Sequence, residues 1–285
     1  MKIDDDWAGI ARLPGRPPRL SHSELLCLAV IQALPGFHSE ARRPRPVRAH
    51  YRVMCPYVPQ DAGYNELLRA ALPQVKRLIR VLAKDTDFWH DTVWICDSTP
   101  VPCGMSRPTV KRCEVAGWAG CGYCSSHSRF YWGLRLFLAC APSGMPILWA
   151  LAGPKLDERE VLAAMLEVDT QLVRERPGLL LNTDKGFASR AFERSPSEQG
   201  ITLLWPSMKR EAARPGEPML KKVRQLIESV NDTLKGQLDL EQHGGRTCEG
   251  VAVRVVQRVL VPATVVWHNF QTGQAVSRSL TAYDH

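Results

Sequence analysis

The stretch Thr92-Val93-Trp94-Ile95-Cys96-Asp97 is a short β-branched and aromatic run that ends on a carboxylate. Runs of this length, bounded by polar residues, read as buried strands, so Asp97 is expected at a strand's carboxyl end. A second stretch repeats the arrangement: Leu179-Leu180-Leu181 is fully apolar and leads through Asn182-Thr183 to Asp184. An isolated buried aspartate is costly, and such residues cap helices, pair with a base or bind metal. Either aspartate alone reads more readily as structural. Adjacent parallel strands lie about 4.8 Å apart, so if these two are neighbours their carboxylates converge and can share metal ions.

Working outward, a loop rich in Gly, Cys and Pro is expected from Asp97 to about Arg129. Tyr131 to Cys140 then alternates, with Trp132, Leu134, Leu136 and Leu138 on one face and Arg135 on the other. Pro142-Ser143-Gly144 turns the chain into Ile147–Leu151, which makes a hairpin. Asp157 and Glu160 fit a capping box for a helix whose apolar stripe includes Val161, Leu162, Met165 and Leu166. Asp157, Glu158 and Glu160 therefore read as helix-cap chemistry. A short helix over Ala188–Glu198, a strand over Ile201–Trp205 and a long helix from about Leu220 to Lys235 complete the series. An antiparallel hairpin followed by strands joined through helices is the mixed α/β order of a ribonuclease H-like domain. Residues 91–285 are assigned to it, although 251–256 fits strand and helix equally.

Residues 1–90 read as a separate helical segment suited to docking DNA. Ser21 and Glu24 form a capping box ahead of the apolar run Leu25–Leu34, and a second helix is expected over about Tyr64–Leu82. Between them Arg42, Arg43, Arg45, Arg48 and Arg52 cluster around two prolines. Arginine forks match phosphate geometry, which makes Arg42 and Arg43 candidate DNA contacts; an ordinary solvated face is the plain alternative.

The last helix carries the third carboxylate. Val223, Leu226, Ile227, Val230 and Leu234 form an apolar arc, while Lys221, Arg224, Glu228, Asn231 and Lys235 share another face. Alone, Arg224 and Glu228 would be a surface i,i+4 pair. Beside two strand-end aspartates, Glu228 becomes a candidate ligand. Phosphodiester cleavage needs an activated nucleophile and a stabilised leaving oxygen, and two Mg²⁺ ions about 3.5–4 Å apart serve both. Such hard cations take oxygen ligands, so Asp97, Asp184 and Glu228 are the expected catalytic and metal-holding residues, with Mn²⁺ able to substitute. Arg224 and Lys235 would position flanking phosphates.

Composition sets bounds on partners. The 285 residues carry a net charge of +8, which favours a polyanionic partner, although a basic enzyme fits too. Nine cysteines, no secretory leader and no apolar run of about 18 residues point to a soluble, reduced, cytoplasmic protein without a membrane span. Cys121-Gly122-Tyr123-Cys124 lacks the second pair that a zinc ribbon needs.

At these residues the sequence resembles bacterial insertion-sequence transposases of the DDE type, closest to the insertion sequence 982 family. The matching stretches are LSHSELLCLAVIQALPGF (20–37), CDSTPVPCG (96–104) and HSRFYWGLRL (127–136). LDEREVL (156–162), NTDKGF (182–187) and LIESVNDTLKGQLDLEQHGGRT (226–247) continue the match in order. The resemblance implies a DDE transposase, with Asp97, Asp184 and Glu228 as its triad. It also implies double-stranded DNA partners, both element ends and target, and a homo-oligomer assembled on DNA in the bacterial nucleoid. Related transposases place tyrosine, arginine, glutamate and lysine on the last helix. Arg224, Glu228 and Lys235 occupy these places here, while Lys221 stands where the tyrosine would be. His127, His243 and Arg246 lie in matching stretches and could approach DNA, or brace loops. Two other readings remain: a nuclease or resolvase that cleaves without joining, and a DNA-binding regulator with an inactive catalytic domain.

Overall fold

The computed structural model describes residues 19–34, 55, 57–104, 110–111, 114–115, 117–124, 128–207, 211–212, 214–276 and 280. Its sheet is built from β1 (Val93–Gly104), β2 (Gly120–Cys124), β3 (Arg129–Cys140), β4 (Pro146–Ala152), β5 (Leu180–Asn182) and β6 (Thr202–Leu204). β1 runs antiparallel to β3 and parallel to β5, and β5 runs parallel to β6. β2 and β4 both pair antiparallel with β3, along 129–133 and 135–140, on the edge that β1 does not use. The order β4-β3-β1-β5-β6, with only the first strands antiparallel, is a ribonuclease H-like mixed sheet. Helices complete the crossovers: α4 (Glu158–Val168) and the short α5 (Thr170–Arg174) precede β5, and α6 (Arg190–Glu198) joins β5 to β6.

Two sequence expectations are corrected here. β1 does not stop at Asp97 but continues to Gly104, and β2 interrupts the expected loop. Pro100 and Pro102 hid this extension, because proline cannot donate to a ladder. Their two-residue spacing puts both missing N–H groups on the same edge of β1. β5 pairs only with Val93–Ile95, so that edge has no strand beside it at the prolines. On the other edge Gly133 faces Pro102, and a Cβ there would lie 2.1 Å from Val101 O, which explains the glycine. The helix expected over Tyr64–Leu82 is two helices, α2 (Asp61–Ala70) and α3 (Leu72–Lys84), broken at Ala71 ahead of Pro73.

β3 is covered on both faces: Leu134 and every residue from Leu136 to Cys140 are buried, so strict alternation fails in its second half. α1 (His22–Ala33) begins with the capping box of Ser21 and Glu24. It packs with α2 and α3 against α8 (Cys248–Thr272), whose range resolves the ambiguity at 251–256 in favour of helix. α8 is long and apolar enough by composition to cross a bilayer, yet 78% of its apolar window is buried within the fold. Its two buried arginines are occupied in the core, with Arg254 donating to Gln32 and Arg258 to Leu238 O. Leu26, Val75, Leu78 and Leu82 from the first helices share one core cluster with the sheet and α8.

Candidate active site

Strand register sets the two aspartates side by side. Ile95 on β1 is level with Asn182 on β5, so Asp97 and Asp184 each lie two residues beyond a matched pair. β5 ends at Asn182, and Asp184 turns the chain by accepting from Gly186 N at 2.8 Å, capping the turn Lys185–Phe187. Asp97 is partly buried; Oδ1 accepts from Ser98 N (2.8 Å) and Oδ2 from Asn231 Nδ2 (2.8 Å).

Asn231 comes from α7 (Glu217–Asp232), which lies across β1 and β5. A cleft of about 290 Å³ opens between helix and sheet, lined by Asp97, Thr183, Asp184, Lys185, Glu217 and Arg224 among others. Arg224, Glu228 and Asn231 lie within roughly 60° of one another around the helix. The first lines the cleft and the last bonds Asp97. Glu228 thus stands on the site-facing stripe, but its carboxylate accepts from Arg224 Nε at 2.8 Å and is 50% exposed. Among the described residues it makes no hydrogen bond to either aspartate.

The other expected contacts are dispersed. Lys235 falls in a π-helical turn, Thr233–Gln237, that follows α7. Arg246 is exposed on a loop, where its carbonyl accepts from Glu114 N. Lys221 is in α7 with its side chain outside the described residues, and Arg42, Arg43, Arg45, Arg48, Arg52 and His127 lie outside them altogether. His243 is buried, with its ring bonded to Pro102 O and Gly245 N, and acts as a brace for β1. Cys121 is exposed and Cys124 buried, both on β2 and both outside any disulfide.

Glu158 is the residue the sequence reading passed over. Asp157 does cap α4, accepting from Arg159 N at 2.9 Å. Glu158, one position on, turns inward: Oε1 takes Ser98 Oγ (3.2 Å) and the guanidinium of Arg135. The signal was Arg135 itself, a cation inside the otherwise uncharged run Tyr131–Cys140 that needed an acidic partner.

The electrostatics follow. Loss of water contact pushes the Asp97 carboxyl up to about 6, and the negative charges of Asp184 and Glu158 add to this; the Ser98 N–H and Arg224 oppose it. Burial also raises Glu158 above the usual carboxylate range, with Arg135 opposing and Asp184 assisting. Negative charge is therefore gathered in excess of its local compensation.

No family model and no curated protein matches the sequence. Two solved transposase complexes align with the chain. The synaptic complex of piggyBac transposase with hairpin DNA covers 97% of this chain and 73% of its own, at 11% identity and a TM-score of 0.44. The Mos1 strand transfer complex covers 92% and 82%, at 14% identity and a TM-score of 0.25.

The donor set suits a hard divalent cation. Thr183 Oγ1 and Asn231 Oδ1 are buried oxygens without a hydrogen-bond partner, the first on the cleft wall and the second on the amide that holds Asp97. Among the described residues no three His, Cys, Asp or Glu side chains form a group that could hold a metal ion. Mg²⁺ does not require three such ligands: it keeps waters and binds through one or two carboxylates plus substrate phosphates.

Proposed function

We propose that this protein is a DDE-type transposase that cleaves DNA at element ends and joins the freed 3′-hydroxyl to target DNA. The observation that carries the reading is the register of β1 and β5, which brings Asp97 and Asp184, each two residues beyond a matched pair, into one cleft that Lys185 and Arg224 also line. Asp97 and Asp184 would hold Mg²⁺, with Glu228 completing the set from α7. Bound Mg²⁺ supplies charge stabilisation of the phosphoryl oxygens and an activated nucleophile near neutral pH.

The chain's own side chains do the remaining work. Asn231 fixes Asp97 Oδ2, so one oxygen of that carboxylate has a set direction. Arg224 and Lys185 line the cleft and would contact phosphates flanking the reacting one, orienting the strand without reading sequence. Arg224 now pairs with Glu228, so a phosphate arriving at Arg224 would release Glu228 to turn toward the aspartates. The basic segment around Arg42 and Arg43 would bind the inverted repeats. Membership of the insertion sequence 982 family is proposed on the six quoted sequence stretches.

The test is a magnesium-dependent strand-transfer assay on DNA that flanks the gene. Wild type should nick and join the ends, and Asp97→Asn or Asp184→Asn should each lose at least about a thousandfold, as expected where metal-held phosphoryl chemistry is removed. Full activity in either variant would refute the assignment; nicking without joining would move it to a nuclease.

A further inference from the structure

We infer that the outer face of the β2–β3 ribbon is a stacking platform for unpaired bases of a DNA strand, with Tyr123 and Phe130 as its rings. The inference rests on the reading of DNA as the partner of this chain and adds a contact outside the cleft. Along the ribbon Tyr123 is level with Phe130, and Cys121 with Trp132. Alternation puts these four side chains on one face and Gly120, Gly122 and Tyr131 on the other. That second face is closed. A Cβ on Gly120 would lie 3.5 Å from Pro154, and one on Gly122 would lie 2.7 Å from Pro154 and 2.6 Å from the Tyr131 ring.

The first face is open. Phe130 is 83% exposed and Tyr123 54%, and Trp118, two residues ahead of β2, is 67% exposed. The rings of Tyr123 and Phe130 form a pair with centroids 4.9 Å apart and planes tilted by 56°. Phe130 is eight residues along β3 from Leu138, the partner of Asp97, so the pair stands roughly 25 Å from the aspartates. Substitutions there leave the cleft intact.

Size, charge and base pairing select the partner. The three aromatic residues expose on the order of 400 Å² between them, about half of what each side of a stable protein–protein interface buries. One stacked base, in contrast, needs only a ring face. The net charge of +8 attracts a polyanionic strand and repels a second copy of the chain. Cations flank the rings: Arg129 precedes Phe130 and stays 45% exposed while pairing with Glu241. Lys111 is exposed next to Val110, which closes on Gly104, the β1 neighbour of Trp132. Bases inside a duplex already stack on each other, so protein rings find open base faces where the strand is unpaired.

The experiment is binding of the full chain to a thymidine oligonucleotide and to a duplex of equal length, read by fluorescence anisotropy. Replacing Tyr123 and Phe130 together by alanine should weaken single-strand binding at least fivefold, the scale of one lost stacked base, and duplex binding less than twofold. Tyr123→Phe combined with Phe130→Trp keeps both rings and should bind the single strand within twofold of wild type. Val168→Ala trims an 87% exposed apolar side chain on α4 and should change neither affinity. If the double alanine variant binds the single strand within twofold of wild type, the platform is overturned and the cleft reading stands. Equal weakening on both probes also overturns it, because that marks a backbone contact. If wild type binds neither probe, DNA as the partner falls and the platform with it. A wild-type dimer that the double variant dissolves overturns it in favour of a second copy. Should the alanine variant melt far below wild type, photo-cross-linking of wild type to a strand carrying 5-iodouracil decides: adducts at Tyr123 or Phe130 support the platform, and adducts only elsewhere overturn it.

Discussion

The middle and the carboxyl end of strand β1 hold titratable groups in opposite ways. At the carboxyl end His243 has both ring nitrogens engaged: Nε2–H donates to Pro102 O at 3.0 Å and Nδ1 accepts from Gly245 N at 3.0 Å. Midway along the strand Asp97 feels the charges of Asp184 and Glu158, with an unpartnered oxygen on Asn231, which bonds it, and another on Thr183 in the cleft wall. A buried group with every partner supplied braces the fold. One surrounded by like charge and vacant acceptors raises the free energy of the folded protein until something else binds. The contrast separates structural burial from functional burial on one strand, and it can be broken by pH and substitution.

The largest effect is expected at the braced end. Burial and the nearby Arg258 hold the His243 imidazole down at about 4, against 6.5 ordinarily. The unfolded chain therefore takes up a proton between pH 6.5 and 4 that the folded chain refuses, and stability is lost as pH falls through that window. The loss is on the order of 3 kcal/mol. Urea unfolding should show it in wild type, whereas His243→Gln should be less stable at pH 7 with a flatter profile over the same range.

Asp97 should show the opposite slope. Its carboxyl binds a proton at about 6 in the folded protein and near 3.8 when unfolded. Stability contributed by the protonated form is present below 3.8 and lost as pH rises to 6. Asp97→Asn should therefore be more stable than wild type at pH 7 by about 1–3 kcal/mol, with the gain gone at pH 4. A destabilised Asp97→Asn at pH 7 would make Asp97 a structural residue like His243.

The smallest effect belongs to Glu228. Its pair with Arg224 is about half exposed on both sides, and such pairs contribute a few tenths of a kcal/mol, less in salt. Glu228→Gln should change stability by no more than about 0.5 kcal/mol while impairing strand transfer. A larger stability loss would place Glu228 in a structural network.

These differences also explain what the sequence made legible. Asp97 and Asp184 stand out because each follows an apolar run, which is a local property; that their two strands pair is long-range, and the sequence left it open. The order of elements along the chain, β2 apart, was readable for the same reason, from runs such as Leu179–Leu181 and the turn at Pro142–Gly144. Glu158 was hidden because helix capping explained the acidic cluster that contains it. Only the fold brings Gly186, 28 positions away, against its carboxylate. The extension of β1 was masked by two prolines whose harmlessness depends on where β5 ends. α8 resisted because all its sides are buried, which erases the polar face that marks a helical period.

The central claim is that Asp97 and Asp184 together seat a divalent cation. Crystals grown with Mn²⁺ and measured at its absorption edge test it most directly. The account predicts an anomalous peak about 2.0–2.6 Å from oxygens of both aspartates. A peak elsewhere, or none at occupancies that saturate the protein in solution, would contradict it.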